Sequence, residues 1–235
     1  MIADVSTIVA RGMGIRRSGR WLLRPAAFGI AGGVIGLAGP SGVGKSTLLA
    51  TFATLRRPHV GALDVLGYDI GNATDLRSVR ARIGYLPARF SWAANLTARE
   101  FVAYAAYYKR MPAASVDAVL ERMELTEVAS IELGLLPADV RLRAGLAATC
   151  VHEPDLVLLD EPLTGLDDQR TAELVPLIRS LAPAVLLTAT DPGWCDRVLT
   201  LSRGRLAEPE TVFAAALRPY SIPMPCQQAR VPAHA

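Results

Sequence analysis

Nine residues constrain this chain more than any others. Positions 39–47 read GPSGVGKST, directly after the apolar run GVIGLA and directly before an apolar stretch with helical spacing. The glycines Gly39, Gly42 and Gly44 let the backbone curl so that its amide N–H groups converge inward. The start of the following helix adds the positive end of its dipole, and Lys45 adds a full charge toward the β- and γ-phosphates of a nucleotide. Ser46 supplies a hydroxyl of the kind that ligates Mg2+. A glycine loop of this pattern between strand and helix implies a cradle for a triphosphate. Its nucleotide-binding residues are Gly39, Pro40, Ser41, Gly42, Val43, Gly44, Lys45, Ser46 and Thr47.

A second segment supplies matching chemistry. Positions 156–162 read LVLLDEP, four apolar residues and then Asp160 and Glu161. A buried strand ending in two acids delivers both carboxylates to one edge of a parallel sheet, where ligands bind. Asp160 is expected to hold Mg2+ with Ser46, through water, and Glu161 to face the water that attacks the γ-phosphate.

With 235 residues the chain can bury the core of one α/β domain with an inserted subdomain. Its net charge is only +3 and no extended basic run occurs, so a nucleic-acid partner is not expected. Cys150, Cys195 and Cys226 are odd in number and far apart, which fits reduced thiols in a cytosolic protein. The N-terminus lacks the basic start and apolar run of a signal peptide. Residues 25–44 carry no charge over a length that could span a bilayer. That segment also holds seven glycines and two prolines, which fit a strand, a turn and the phosphate loop instead.

Along the chain, residues 1–37 read as short strands and turns, 45–56 as a helix, and GALDVLGYDI as a hairpin pair of strands. VRARIGYLP reads as a helix end followed by a strand. From Thr97 to about Ser130 the spacing is helical, opened by a capping box of Thr97 and Glu100. Arg141 to about Val151 reads as another helix. Strand LVLLD, helix QRTAELVPLIRSLA, strand AVLLTAT and strand RVLTLS follow, then a frayed tail from about Arg218.

On these segments the chain resembles the ATP-binding subunits of ABC transporters over nearly its whole length. The likeness rests on GPSGVGKST, on IGYLPARF…NLTARE leading into a helical insert, on LVLLDEP, and on LTGLD at 163–167, similar to the D-loop. NLTARE and the compact length look most like the class that pairs with multi-helix exporter permeases. The resemblance implies an α/β fold: a P-loop NTPase core with an N-terminal antiparallel β portion and a helical subdomain inserted at about 89–145. The ATP-binding domain would cover 1–217, with 218–235 as a tail. It also implies ATP and Mg2+ as cofactors. The implied partners are a multi-span membrane permease and a second ATP-binding subunit. The implied location is cytoplasmic, peripheral on the inner face of the cell membrane.

Four family positions depart from the pattern. The family's L-S-G-G-Q signature starts twenty-four residues before the metal-binding aspartate, which lands on Leu136; Arg143 and Pro154 keep the frame. The S-G-G-Q positions then hold Pro137, Ala138, Asp139 and Val140. In the family this helix start faces, across a dimer, the γ-phosphate held by the partner subunit. Proline offers neither hydroxyl nor N–H there, and Asp139, locally an ordinary first-turn acid, repels the phosphate unless it turns away or caps its own helix. Ala88 stands where the family has a glutamine that reaches Mg2+ and the attacking water. Thr190 stands where it has a histidine on the γ-phosphate. Arg17 holds the place of the adenine-stacking aromatic, with Trp21 as the other candidate.

Two functions follow. The first is an ATP-binding, slowly hydrolysing subunit that drives a permease; Glu161, the retained base, favours it. The alternative is a non-hydrolysing regulatory or scaffold subunit that binds ATP to clamp a dimer. A heterodimer is favoured, because in a homodimer both composite sites would carry every departure. A phosphate-loop kinase would need a substrate lid and a second basic cluster, and neither is found in the sequence.

Overall fold

The structure, a computed structural model, describes residues 6–90, 93–190 and 192–207. The expected tail at 218–235 lies outside them. In chain order the elements are β1 (Ile8–Arg17), β2 (Arg20–Ile30), β3 (Gly33–Ala38), α1 (Lys45–Phe52), β4 (Val60–Val65) and β5 (Tyr68–Asp69). Then come α2 (Ala73–Arg82), β6 (Ile83–Leu86), α3 (Ala98–Lys109), α4 (Ala114–Arg122), α5 (Ala138–Cys150) and β7 (Leu156–Leu159). The last are α6 (Asp168–Arg179), β8 (Ala184–Thr188), β9 (Arg197–Ser202) and β10 (Arg205–Ala207). No helix among the described residues is long and apolar enough to cross a membrane.

Two sheets form. One runs β2-β1-β4-β5 and is antiparallel. The other runs β10-β9-β3-β8-β7-β6, parallel except where β10 pairs with β9. Every residue of β7 and β8 is buried, which explains their unbroken apolar runs: both faces of the parallel sheet are covered. The period of two divides β7 between two cores. Leu156 and Leu158 join Leu48, Leu49 and Phe52 of α1 and Ile8, Met13 and Leu63 of the antiparallel sheet. Val157 and Leu159 join Val102 of α3, Leu120 of α4, Leu146 of α5 and Ile178 of α6.

α3 opens with the expected capping box: the Thr97 hydroxyl accepts from Glu100 N, and the Glu100 carboxylate accepts from Thr97 N. The helical run expected as far as Ser130 is shorter. α4 stops at Arg122, and Glu124 adopts a left-handed φ of 58° so that Leu125 can turn into the core. α1 likewise ends at Phe52, short of 56, and α5 begins at Ala138, ahead of Arg141. β8 ends at Thr188, so Thr190 lies in the loop beyond the strand. Of helix α2 the sequence distinguished only the end, VRAR; its start lies at Asn72, which caps it, accepting from Thr74 N and Asp75 N. α5 can lie close on β6 because position 84 is glycine: a Cβ there would stand 2.6 Å from Thr149 O.

Candidate functional site

β3 ends at Ala38 and the glycine loop follows, so the loop starts from the middle of the parallel sheet. Gly39 has a φ of 142°, and a Cβ on it would stand 2.3 Å from Leu201 O; the loop begins where only glycine fits. Gly44 caps α1 in a left-handed conformation, and no side chain caps that helix. The first-turn amides are therefore left for a ligand. Lys45 is only 8% exposed and folds back over the loop. Its Nζ donates to Gly39 O at 2.9 Å and Pro40 O at 3.3 Å, which holds the ammonium at the loop's mouth. Ser46 is exposed beside it.

The strand order β3-β8-β7-β6 brings the remaining residues to the same edge, because all four strands are parallel and end together. At about 4.8 Å per strand, the ends of β3 and β7 lie about 10 Å apart. Asp160 is buried at the end of β7, and its amide donates to Leu86 O of β6 at 2.9 Å. Its charge, second to burial, pushes the Tyr85 phenol above its ordinary pKa. Glu161 follows in a left-handed conformation, with a φ of 48°.

Two clefts meet at Glu161. One, of about 360 Å³, is lined by Ala88, Arg89, Ala138, Arg141, Asp160 and Glu161. The other, of about 380 Å³, is lined by Glu161, Thr188, Thr190 and Trp194 among others. The fold thus gathers Ala88, Ala138 and the acid pair in one place, and Thr190 beside the same glutamate. Asp139 does not cap its own helix. Pro137 is the cap residue of α5, no side chain caps that end, and Asp139 Oδ1 lies 3.8 Å from Arg170 Nε on α6. Trp21 presents a ring already covered, with the Arg16 guanidinium 3.9 Å from its centroid. Arg17 stands exposed near the β1–β2 turn.

One residue of this site was not singled out in the sequence. Thr188, fully buried at the end of β8, donates from Oγ1 to Asp160 Oδ1 at 2.8 Å. The same oxygen accepts from Glu161 N at 2.7 Å. A threonine closing an apolar strand is ordinary β composition, and only the β7–β8 pairing brings it against the acids.

The residues fit a magnesium-bound triphosphate. A glycine-only cradle, an uncapped helix start and a lysine held over the loop suit an anion; a buried aspartate and an exposed serine suit a hard cation.

Comparison with known proteins points the same way. Residues 28–164 match the family described as ABC transporter. The phosphonates import ATP-binding protein PhnC of Anaeromyxobacter dehalogenans is 33% identical over 217 residues, covering 83% of this chain and 44% of the relative. The daunorubicin resistance ATP-binding protein DrrA3 of Streptomyces coeruleorubidus is 33% identical over 186 residues, covering 74% and 58%. The chain spans about half the length of these curated relatives. Among solved structures, the dimeric bacterial ABC transporter cassette MJ0796 superposes with a TM-score of 0.76 at 21% identity, over 86% of this chain and 98% of that one. The glycine loop and the LVLLDEP strand, met at one sheet edge, lie within the span that matches. The chain therefore belongs to the ABC transporter family, as a nucleotide-binding chain.

Proposed function

We propose that this chain binds Mg-ATP and hydrolyses it slowly, as the ATP-binding subunit of an ABC transporter that drives a membrane permease. The observation that carries the reading is the position of Lys45, Asp160 and Glu161 on one edge of the parallel sheet, reached from β3 and β7. The loop amides and Lys45 grip the triphosphate. Ser46 and Asp160 hold the metal, which when bound offsets phosphate charge and orients the terminal phosphate. Glu161 accepts a proton from the attacking water.

Slow turnover follows from three losses around that base. Ala88 and Thr190 line the clefts at Glu161 without the reach of a glutamine or a histidine. Pro137 offers neither the hydroxyl nor the N–H that a partner's γ-phosphate would need, and Asp139 brings a carboxylate beside it. Removing one such donor costs about 10²–10³ in turnover, while ground-state binding of nucleotide is kept. The partners are a multi-span permease and a second ATP-binding subunit, with a heterodimer preferred. The location is the inner face of the cell membrane, through the permease, and the exporter-like class rests on NLTARE alone, since PhnC, at the same identity as DrrA3, is named for import.

Phosphate release by the purified chain, alone and reconstituted with its permease, tests the reading against Glu161→Gln. A rate above that of Glu161→Gln supports hydrolysis. Equal background rates with intact nucleotide uptake would leave the non-hydrolysing subunit as the function.

A further inference from the structure

We infer that Thr188 is a positioning residue that ties the metal-holding carboxylate to the backbone of the catalytic base through one hydroxyl. This rests on the proposed Mg-ATP site and deepens it. The hydroxyl has one proton and two lone pairs. Glu161 N can only donate, so the bond at 2.7 Å takes a lone pair of Oγ1. The hydroxyl proton is then free for a single acceptor, and Asp160 Oδ1 stands at 2.8 Å. Direction along this chain is fixed: amide to hydroxyl, hydroxyl to carboxylate.

Two consequences follow for the site. Asp160 has one oxygen committed to Thr188, and its other oxygen has no hydrogen-bond partner among the described residues. The carboxylate is thereby oriented to present a single oxygen outward, which suits Mg2+, a cation that takes few protein ligands and tolerates little distortion. Glu161 meanwhile sits at a φ of 48°, a conformation that is costly for a residue with a Cβ. The bond from its amide to Thr188 is made beyond the end of β7 and holds that turn in place. Thr188 is wholly buried between Leu37 of β3 and the acid pair, so its rotamer is set by packing and no water competes for the hydroxyl.

Labelled ATP is titrated first with a chelator present and then against increasing Mg2+, for the wild type, Thr188→Val, Thr188→Ser and Thr188→Val in an Asp160→Asn background. Valine keeps the shape and removes the hydroxyl. The expected result is an unchanged affinity in chelator and a Mg2+ half-saturation raised about tenfold or more in Thr188→Val, the usual loss when a group orienting a metal ligand is removed. Serine should restore the wild-type value, and valine should add nothing once Asp160 is asparagine. If the valine variant does not fold, Thr188→Cys, with its weak S–H donor, should show the same shift at smaller size. A wild-type Mg2+ requirement in folded Thr188→Val or Thr188→Cys, or an equal further loss in the Asp160→Asn background, overturns the inference alone. No nucleotide uptake by the wild type overturns the proposed function, and the inference with it.

Discussion

Lys45 and Gly39 act on the same few ångströms of backbone by different physics, so substituting them should separate binding from folding. Lys45→Ala removes the ammonium that bonds Gly39 O and Pro40 O. Uptake of labelled ATP should be lost, while urea unfolding shifts little, because the two bonds lost are offset by the desolvation cost of the buried ammonium that goes with them. Gly39→Ala places a Cβ against Leu201 O and keeps a φ that alanine rarely adopts. It should cost stability by at least about 1–3 kcal/mol in the same unfolding experiment. His152 gives a third reading at this scale. Its Nε2 lies 3.0 Å from Ile83 O and must donate there, while Nδ1 is buried without a partner. Burial first, then the Lys109 charge, lowers its pKa from 6.5 to about 4, against the opposing pull of Ile83 O. Because the folded value is the lower one, the unfolded chain takes up the proton first. Stability is full above the unfolded value and falls as pH drops from 6.5 toward about 4. The thermal midpoint of the wild type should decline across that window. His152→Gln, which keeps an N–H for Ile83 O, should decline less. None of this was visible in the sequence, where His152 is simply a polar residue after a helix. The backbone of the glycine loop, by contrast, was legible in the sequence: it lies between β3 and α1, with positive φ at Gly39, Gly42 and Gly44.

At the scale of elements, legibility followed how local the cause is. The α3 capping box could be read because Thr97 and Glu100 satisfy each other's backbone within one turn. Thr97→Ala should therefore lower stability by about 1 kcal/mol in urea unfolding, with nucleotide uptake intact. The end of α4 could not be read: SVDAVLERMELTEVA keeps a helical rhythm, yet Leu125 reaches the core only after Glu124 breaks the helix. The start of α5 could be read from Pro137 and Asp139, ordinary residues of a helix start, although the helical run itself was drawn only from Arg141. Its placement depends on Gly84, a residue of another element. Adding a methyl group at Gly84 would press on Thr149 O and push α5 off β6. Asp139 likewise found its neighbour outside its own helix, in Arg170 of α6, a pairing that no local pattern announces.

The whole molecule is an α/β core with an antiparallel β portion and inserted helices, an arrangement that came with the family resemblance and that the strand pairings bear out; the order of strands within each sheet was not read from the sequence. What the family does as a pair of subunits turns on the start of α5. Two unit charges about 4 Å apart at an effective dielectric of about 20 repel by roughly 4 kcal/mol. A helix terminus offsets about 0.3–1 kcal/mol of that. On the proposed reading, Pro137 and Asp139 at this position make a second copy of the chain a poor partner for ATP-driven closure, even with Arg170 Nε 3.8 Å from Asp139 Oδ1. Glu161→Gln, which should bind Mg-ATP without consuming it, is the form in which closure would accumulate. In sedimentation experiments with Mg-ATP at micromolar protein it should remain a monomer. Adding Pro137→Ser and Asp139→Gly to it should shift the population toward an ATP-dependent dimer, with no change in the absence of nucleotide. A stable ATP-dependent dimer of Glu161→Gln with the native Pro137 and Asp139 would rule out the heterodimer preference, since the unaltered helix start would then serve a second copy of itself.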